Sequence, residues 1–440
     1  MLSAFANAFR SPDLRRKILF TLFILAVYRA GTTVPTPNVN LVRIDQCRRL
    51  AEDGDQAGLY SIINLFSGGA LLQLSIFALG IMPYITSSII LQLLTVVIPK
   101  LEALKKEGAS GQQQITQYTR RLTLVLAVLN STAFITMARN GQLFQGCDGI
   151  MYDEGIFPIV VMILTMTAGT SIIMWMGELI TERGIGNGMS IMIFTSIAAQ
   201  FPTSLWSIKQ ARTGANAWLI FGLVLAIGLL VMAGIIFVEQ AQRRIPVQYA
   251  KRMVGRRLFG GTTTYIPLKV NQAGVIPVIF ASSMLYLPVL FATFQPESKA
   301  GKWINANFTG AGGAGGAQPI YNAVFFLLII AFTYFYVAIT FNPVEISDNM
   351  KKYGGFIPGI RAGKPTEDYL AYVLSRLTAP GSLYLALISL IPTVAFIALG
   401  AQQNFPFGGT SILIIVGVAL DTVKQIESQL QQRNYEGFLK

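Results

Sequence analysis

Long uncharged apolar stretches recur along this sequence and predict its architecture. A helix that crosses a bilayer needs about 20 mostly apolar residues. Stretches of this kind lie at Ile18–Val34, Leu74–Val97, Leu122–Ala138, Ile156–Met176, Met189–Phe201, Trp218–Val238, Gly274–Phe294 and Tyr321–Phe341, with two more in Leu377–Leu420, which is divided at Asn404–Gly409. The pattern therefore predicts an all-α, polytopic membrane protein with ten transmembrane helices.

One apolar segment is too short to cross a membrane. The uncharged run from Gln56 to Pro99 exceeds one span but cannot hold two, and Gly68-Gly69 offers a break within it. Short helices at membrane depth survive only where protein or a water-filled cavity surrounds them. The half-helix Leu59–Leu71 is therefore predicted to fold into an external funnel and plug a pore, or else to lie at the membrane surface.

Composition excludes several classes of protein. Only 12% of the residues are charged, against about 25% in soluble domains, and the chain has no histidine, which rules out Ser-His-Asp catalysis and histidine metal sites. Gly184–Gly188 is predicted to be a cytoplasmic turn before the fifth span, and Gly359–Thr366 lacks the spacing of a nucleotide-binding loop. We predict a protein that is not an enzyme and has no cofactor.

The basic residues are distributed unevenly and orient the chain. With ten spans, most of the 34 lysines and arginines fall on the side that holds both termini, which is therefore predicted to be cytoplasmic. The cytoplasmic segments are an amphipathic N-terminus (1–17), two strongly basic loops (239–270 and 342–376) and a short tail (433–440). The start is not predicted to be a cleaved signal peptide, since no cleavage site follows a short apolar region.

The two cysteines, Cys47 and Cys147, both fall in predicted exterior loops. An oxidising exterior would permit a disulfide between them. The sequence gives no distance between the two, so a bridge and two unpaired thiols both stay open.

Six strings spread over nearly the whole chain are distinctive. They are Ile63–Leu71 (INLFSGGAL), Ala78–Ile85 (ALGIMPYI), Gly177–Gly188 (GELITERGIGNG), Gln242–Pro246 (QRRIP), Leu268–Pro277 (LKVNQAGVIP) and Ile357–Arg361 (IPGIR). Together they resemble the SecY family of protein-conducting channel subunits. The resemblance implies two inverted, pseudo-symmetric halves of five helices, residues 18–205 and 206–432, hinged at the outer loop Pro202–Ala217.

The resemblance also assigns site residues. It implies a pore ring of Ile81, Ile85, Ile193, Ile279 and Ile414, and a plug that includes Ile63, Asn64, Leu65, Phe66, Ser67, Gly68 and Gly69. It implies a lateral gate between spans two and seven, with the candidate polar residues Thr86, Ser87, Gln92, Asn271, Ser282 and Ser283. It implies partner docking through Arg243, Arg244, Arg256, Arg257 and Arg361, although the positive-inside rule alone explains most loop arginines.

The function implied is passage of unfolded secretory polypeptides across the bacterial plasma membrane, with lateral release of transmembrane segments into lipid. The implied partners are SecE and SecG as fellow subunits, the SecA motor ATPase, the ribosome and its RNA, signal sequences, membrane lipid and other Sec accessory membrane proteins. The alternatives are a secondary transporter, which needs polar groups at the bilayer midplane that the spans lack, and a scaffold or insertase without a pore.

Overall fold

A computed structural model of the chain describes residues 11–44, 46, 69–71, 73–139, 149–153, 155–210, 216–249, 252–254, 257–259, 263–294, 298–308, 319–399 and 409–438. The plug residues Ile63–Gly68, Cys47, Cys147 and Arg256 lie outside these residues. The described part of the chain is mostly helical.

The helices follow the predicted apolar stretches. They are α1 (Pro12–Thr32), α2 (Met82–Val97), α3 (Pro99–Lys106), α4 (Ala109–Arg139), α5 (Ile156–Arg183), α6 (Gly188–Gln210), α7 (Asn216–Gln240), α8 (Ile276–Phe294), α9 (Lys299–Phe308), α10 (Pro319–Thr340), α11 (Pro343–Lys352), α12 (Lys364–Leu399) and α13 (Gly409–Phe438). The predicted turn Gly184–Gly188 is confirmed, because α5 ends and α6 begins there.

The N-terminal and C-terminal parts of the chain each have a hydrophobic core, and a third core contains residues from both parts. In the first half α4 packs against α2 and α5, and in the second half α10 packs against α8 and α12. The halves touch where α6 packs on α13 and where α8 reaches α2 and α4. The shared core at this boundary contains the residues on which the site is built.

A count of the described helices that are long and apolar enough to cross a membrane gives fewer spans than the ten predicted. Among the described residues, four helical stretches are long and apolar enough to cross a membrane: Ala109–Arg139, Ile156–Arg183, Ile320–Lys352 and Lys364–Ile391. A fifth is added if α2 and α3, bent by 100° at Ile98, form one broken span. Three shorter apolar stretches are Gly188–Pro202, Leu225–Gln240 and Ile276–Leu285.

The second predicted span is wrong in its first third. Residues Leu74–Ile81 are not helical, and α2 starts only at Met82. The backbone turns at Gly80, with φ +56°, and Pro83 is held in the first turn of α2, where proline is favoured. Apolar composition showed that these residues are buried but not that they form irregular structure.

The irregular segment is buried and held by its backbone. Ile76 N donates to Val34 O at 2.9 Å, Thr36 N donates to Leu74 O at 3.0 Å, and Ser75 N donates to Ala70 O at 3.1 Å. Leu74 is fully buried. These bonds satisfy backbone groups of a buried segment that has no helical hydrogen-bond ladder of its own.

The expectation of an exclusively helical chain is also wrong in the basic loops. Strands β1 (Gln242–Tyr249), β2 (Arg252–Val254), β3 (Arg257–Phe259), β4 (Thr263–Lys269) and β5 (Gly355–Phe356) lie there. β1 pairs antiparallel with β4, with Gln242 opposite Lys269, and pairs with β5 on its other edge, while β2 and β3 form a separate pair. These strands are short and lie between the long apolar stretches, so a search for membrane-spanning patterns does not report them.

Several helices extend beyond their apolar stretches. α6 continues through Pro202 to Gln210, so much of the segment expected to be a hinge loop, Pro202–Ala217, is helical. α12 begins at Lys364, within the loop predicted at 342–376, and α13 continues past Leu420. Hydropathy marks the part of a helix that suits lipid and does not mark its polar ends.

Candidate functional site

The five isoleucines proposed as a pore ring lie in one hydrophobic cluster. Ile81 ends the irregular segment, and the others are carried by α2, α6, α8 and α13. Ile81, Ile193 and Ile414 are buried, while Ile85 and Ile279 are partly buried and pack against the same cluster. Side chains far apart in sequence, from both halves of the chain, therefore converge here.

We call the hydrophobic cluster that contains these five isoleucines the ring cluster. All five side chains are apolar. Branched aliphatic side chains offer no hydrogen bond to an ion or to water, and a constriction lined by them can exclude water. They also yield to a passing chain, because they make no directional bond with each other. The cluster is bordered by a buried hydrogen bond of 2.8 Å between Tyr28 Oη and Ser196 Oγ, which fixes α1 against α6.

A cavity of about 380 Å³ opens beside the ring cluster. Its apolar side includes Ile85, Ile193 and Ile279, so three ring residues form part of its wall. Its polar wall comes mainly from α4 and α5, with Thr116, Arg120, Glu178, Thr181 and Glu182. Because α2 and α8 both line it, the cavity spans the seam between the two proposed gate helices.

An ion pair in this cavity was not anticipated from the sequence. Arg120 on α4 donates to Glu178 on α5 from Nε at 2.9 Å and from Nη2 at 2.6 Å. This two-point geometry suits guanidinium and carboxylate and fixes their relative orientation. An arginine guanidinium is charged at physiological pH, so this contact joins α4 to α5 through a charged donor.

Removing this ion pair should weaken the packing of α4 on α5. We expect Glu178→Gln to lower the free energy of unfolding by about 1 kcal/mol, because the Arg120 side chain is 36% exposed and solvent screens part of the interaction. A double-mutant cycle with Arg120→Gln, followed by thermal unfolding in detergent, measures the coupling. Glu182→Gln, on the same helix and the same cavity wall, is the matched control. An equal loss of stability in Glu178→Gln and in the control Glu182→Gln would contradict a specific pair.

The proposed gate residues do not bond to one another. Thr86 Oγ1 and Ser282 Oγ each donate to a carbonyl of their own helix, and Ser87 Oγ donates to Thr119 O on α4 at 2.8 Å. Ser283 is buried without a hydrogen-bond partner among the described residues, and Gln92 lines the cavity. Among the described residues, the hydrogen bonds of Thr86 and Ser282 stay within their own helices, and that of Ser87 joins α2 to α4, so none of them joins α2 to α8.

Asn271 lies in the turn before α8 and is not part of that helix. Its side-chain amide Nδ2 donates to Glu239 Oε1 at 2.5 Å and to Gly274 O at 3.1 Å. Sequence analysis could not identify Glu239 as its partner, since 32 residues separate the two.

The basic candidates lie on a polar surface formed by the strands. Arg243 and Arg244 are exposed on β1, and Arg361 is exposed in the turn before α12. Arg257 lies in β3. On β1, Ile245 and Val247 are packed inward while Arg244 is exposed on the opposite face, and Arg243 is exposed near the start of the strand, before the alternation begins.

Comparison with known proteins decides the family. The SecY family model matches residues 75–423. The protein translocase subunit SecY of Streptomyces galbus is 64% identical over 444 residues, covering 100% of both chains. The chain belongs to the SecY family. The resemblance stated from the sequence is thereby confirmed.

Solved structures agree with SecY family membership at the level of the fold. The structure titled "The structure of a protein conducting channel" aligns with a TM-score of 0.61 at 18% identity, covering 94% of this chain and 91% of that one. Sec61 in the canine ribosome–channel complex from the endoplasmic reticulum aligns with a TM-score of 0.58 at 17% identity, with the same coverage. The chain therefore shares its overall fold with these channel structures.

Proposed function

We propose that this chain is the channel-forming subunit of a protein translocase, which passes unfolded polypeptides across the bacterial plasma membrane and releases transmembrane segments sideways into lipid. The observation that carries the proposal is the convergence of five isoleucines from both halves on one cluster in a SecY family chain. The chain supplies no chemistry of its own, and the movement is driven by its partners.

The proposed architecture is ten spans in two inverted halves, with both termini in the cytoplasm. Membrane-length apolar helices and the basic bias of the loops support it. The ring cluster is the constriction, and the segment Leu59–Leu71 is the plug on its outer side. Together they would seal the membrane to ions while no polypeptide is present.

The proposed lateral gate is the seam between α2 and α8. These helices come from different halves, and both line the cavity beside the ring cluster. An apolar segment of a translocating chain prefers hydrocarbon and would leave through this seam. Because hydrogen bonds of the gate side chains do not join the two helices, opening the seam breaks mainly apolar contacts.

The proposed partners are SecE and SecG within the membrane, and SecA or the ribosome with its RNA at the basic strands. The solved neighbour Sec61 was captured in a ribosome–channel complex, which supports a ribosome-facing role for the corresponding surface. Arginine suits phosphate and carboxylate partners, because its planar fork binds them at two points.

The channel function is tested by deleting Leu59–Leu71 and reconstituting the chain with its partner subunits in planar bilayers. The deletion variant should conduct ions, whereas the intact protein should be nearly silent. Both should translocate a secretory precursor when SecA and ATP are supplied. A silent deletion variant would favour an insertase or a scaffold without a pore.

Reversing the charge of the exposed arginines should weaken partner docking without opening the pore. For Arg243→Glu combined with Arg361→Glu we expect about tenfold weaker binding, because like charges then face an anionic partner surface. Binding of SecA and of ribosomes to the purified protein is measured separately. Lys351→Glu with Lys352→Glu, exposed at the end of α11 in the same basic loop as Arg361, is the matched control. Equal weakening in the control would mean that only overall loop charge matters.

A further inference from the structure

A buried carboxylate lies where α7 leads into β1. Glu239 is 7% exposed, and its side chain accepts one hydrogen bond among the described residues, from Asn271 Nδ2 at 2.5 Å. Lys269 and Lys424 act on the carboxylate electrostatically. A buried charged group that loses its hydrogen-bond donor is penalised more than a group that can turn to water. Glu239 therefore depends strongly on this single contact.

Asn271 belongs to the braced turn that starts α8. Its Nδ2 also donates to Gly274 O, and Gly274 adopts φ +62°, a conformation that favours glycine. Within the same turn Lys269 N donates to Gln272 Oε1 at 3.2 Å. Residues 269–274 are thus joined by hydrogen bonds to one another, so a displacement of the first helical turn of α8 moves Asn271 as well.

The Glu239 side of the contact is fixed by the neighbouring strands. Val270 N donates to Ala241 O at 3.0 Å, which continues the β1–β4 ladder up to the end of α7. α12 packs closely on the same backbone, since a Cβ on Gly381 would lie 2.6 Å from Val270 O. The backbone is therefore held up to Val270, whereas Asn271 is tied to Gly274 on the α8 side, so a change in the direction of α8 begins at Asn271.

Two polar atoms at this joint have no partner. Asn271 Oδ1 and Tyr384 Oη, from α12, are buried without a hydrogen bond among the described residues. A Cβ on Gly381, three residues before Tyr384 on α12, would lie 3.8 Å from Asn271 Cα, and the Glu239 carboxylate acts electrostatically on Tyr384. Buried polar atoms without partners are uncommon in native proteins. Two of them beside one short contact favour a joint with more than one hydrogen-bonded arrangement.

We propose that the Glu239–Asn271 hydrogen bond is a latch that holds the start of α8 in the closed position of the gate. Its strength would set how hydrophobic a polypeptide segment must be to move α8 away from α2. Moving α8 withdraws the donor from a buried carboxylate, and burial of an apolar segment in the seam offsets that loss. The inference rests on the proposed channel function. Glu239 and Asn271 are positioning residues that do not touch the polypeptide.

The test compares export of precursors whose signal segments are graded in leucine and alanine content. The full complex is reconstituted in vesicles with SecA and ATP. Glu239→Gln keeps an acceptor for Asn271 Nδ2 and should keep most of the wild-type discrimination. The double variant Glu239→Leu with Asn271→Leu removes the latch without leaving either polar group unmatched. It should export weak-signal precursors roughly tenfold faster than wild type, with strong-signal export unchanged.

The ratio of weak-signal to strong-signal export separates a latch from a merely structural contact, because a loss of stability lowers both rates. If the double variant folds poorly, Asn271→Asp, which sets a second carboxylate against Glu239, should raise the same ratio. A wild-type ratio in both variants would overturn the latch. If wild type also fails to export the strong-signal precursor, the channel function itself fails, and the latch falls with it.

Discussion

Ile414→Asn should raise the ion conductance of bilayers containing the channel by an order of magnitude or more. Ile414 is 1% exposed and lies in the ring cluster with Ile81 and Ile193. A carboxamide at this point brings donors and acceptors that hold water, so a constriction that excluded water becomes wettable. Single-channel recording in planar bilayers, or chloride efflux from loaded vesicles, measures the effect.

The adjacent residue supplies a matched control. Leu413 is also fully buried on α13 but belongs to the core of the second half. Leu413→Asn should destabilise the fold to a similar extent without raising conductance, whereas Ile414→Val should leave the seal intact. Equal leakage from the two asparagine variants would mean that conductance reports general loosening, and the ring would lose its assigned role.

Gly169→Ala is expected to destabilise the protein by about 3 kcal/mol, at the upper end for overpacking. A Cβ on Gly169 of α5 would lie 2.0 Å from Ile76 O and 2.9 Å from Ile76 C. Both are backbone atoms of the irregular segment, which cannot rotate away as a side chain can. Thermal unfolding in detergent, followed by tryptophan fluorescence, should show a clear fall in midpoint temperature.

Gly222→Ala on α7 is the control for this substitution. No heavy atom outside its own helix surroundings lies within 4 Å of a Cβ at Gly222, so alanine should be neutral or stabilising by up to about 1 kcal/mol through its higher helix propensity. Similar midpoints for the two variants would show that Ile76 can move away from α5 at little cost, contrary to the packing described.

Hydropathy predicted the bounds of several single helices well. α7, α8 and α10 begin and end within a few residues of the predicted stretches Trp218–Val238, Gly274–Phe294 and Tyr321–Phe341. It failed at Leu74–Ile81, because burial in protein and burial in lipid select the same apolar residues. In the sequence, Gly80 followed by Pro83 is a sign of a late helix start, but the long apolar stretch Leu74–Val97 predicts one continuous helix.

The site could be predicted only through family resemblance. An isoleucine on an apolar helix carries no mark of its partners, so Ile81 and Ile414 could be paired only by their place in a known pattern. The polar contacts were inaccessible for a related reason: 58 residues separate Arg120 from Glu178, and helix packing alone brings them together. The sequence alone predicts individual helices, whereas contacts between residues distant in sequence can be identified only once the fold is known.

The buried anchorage of the irregular segment has a kinetic consequence. Leu74 and Ile76 are tied to the chain after α1 by backbone hydrogen bonds, a few residues from the end of the proposed plug. A plug displaced by a passing polypeptide would therefore stay close to the pore, because the residues that follow it are held in place. Resealing would then be a unimolecular event at high effective concentration, with a rate independent of how many channels the membrane contains.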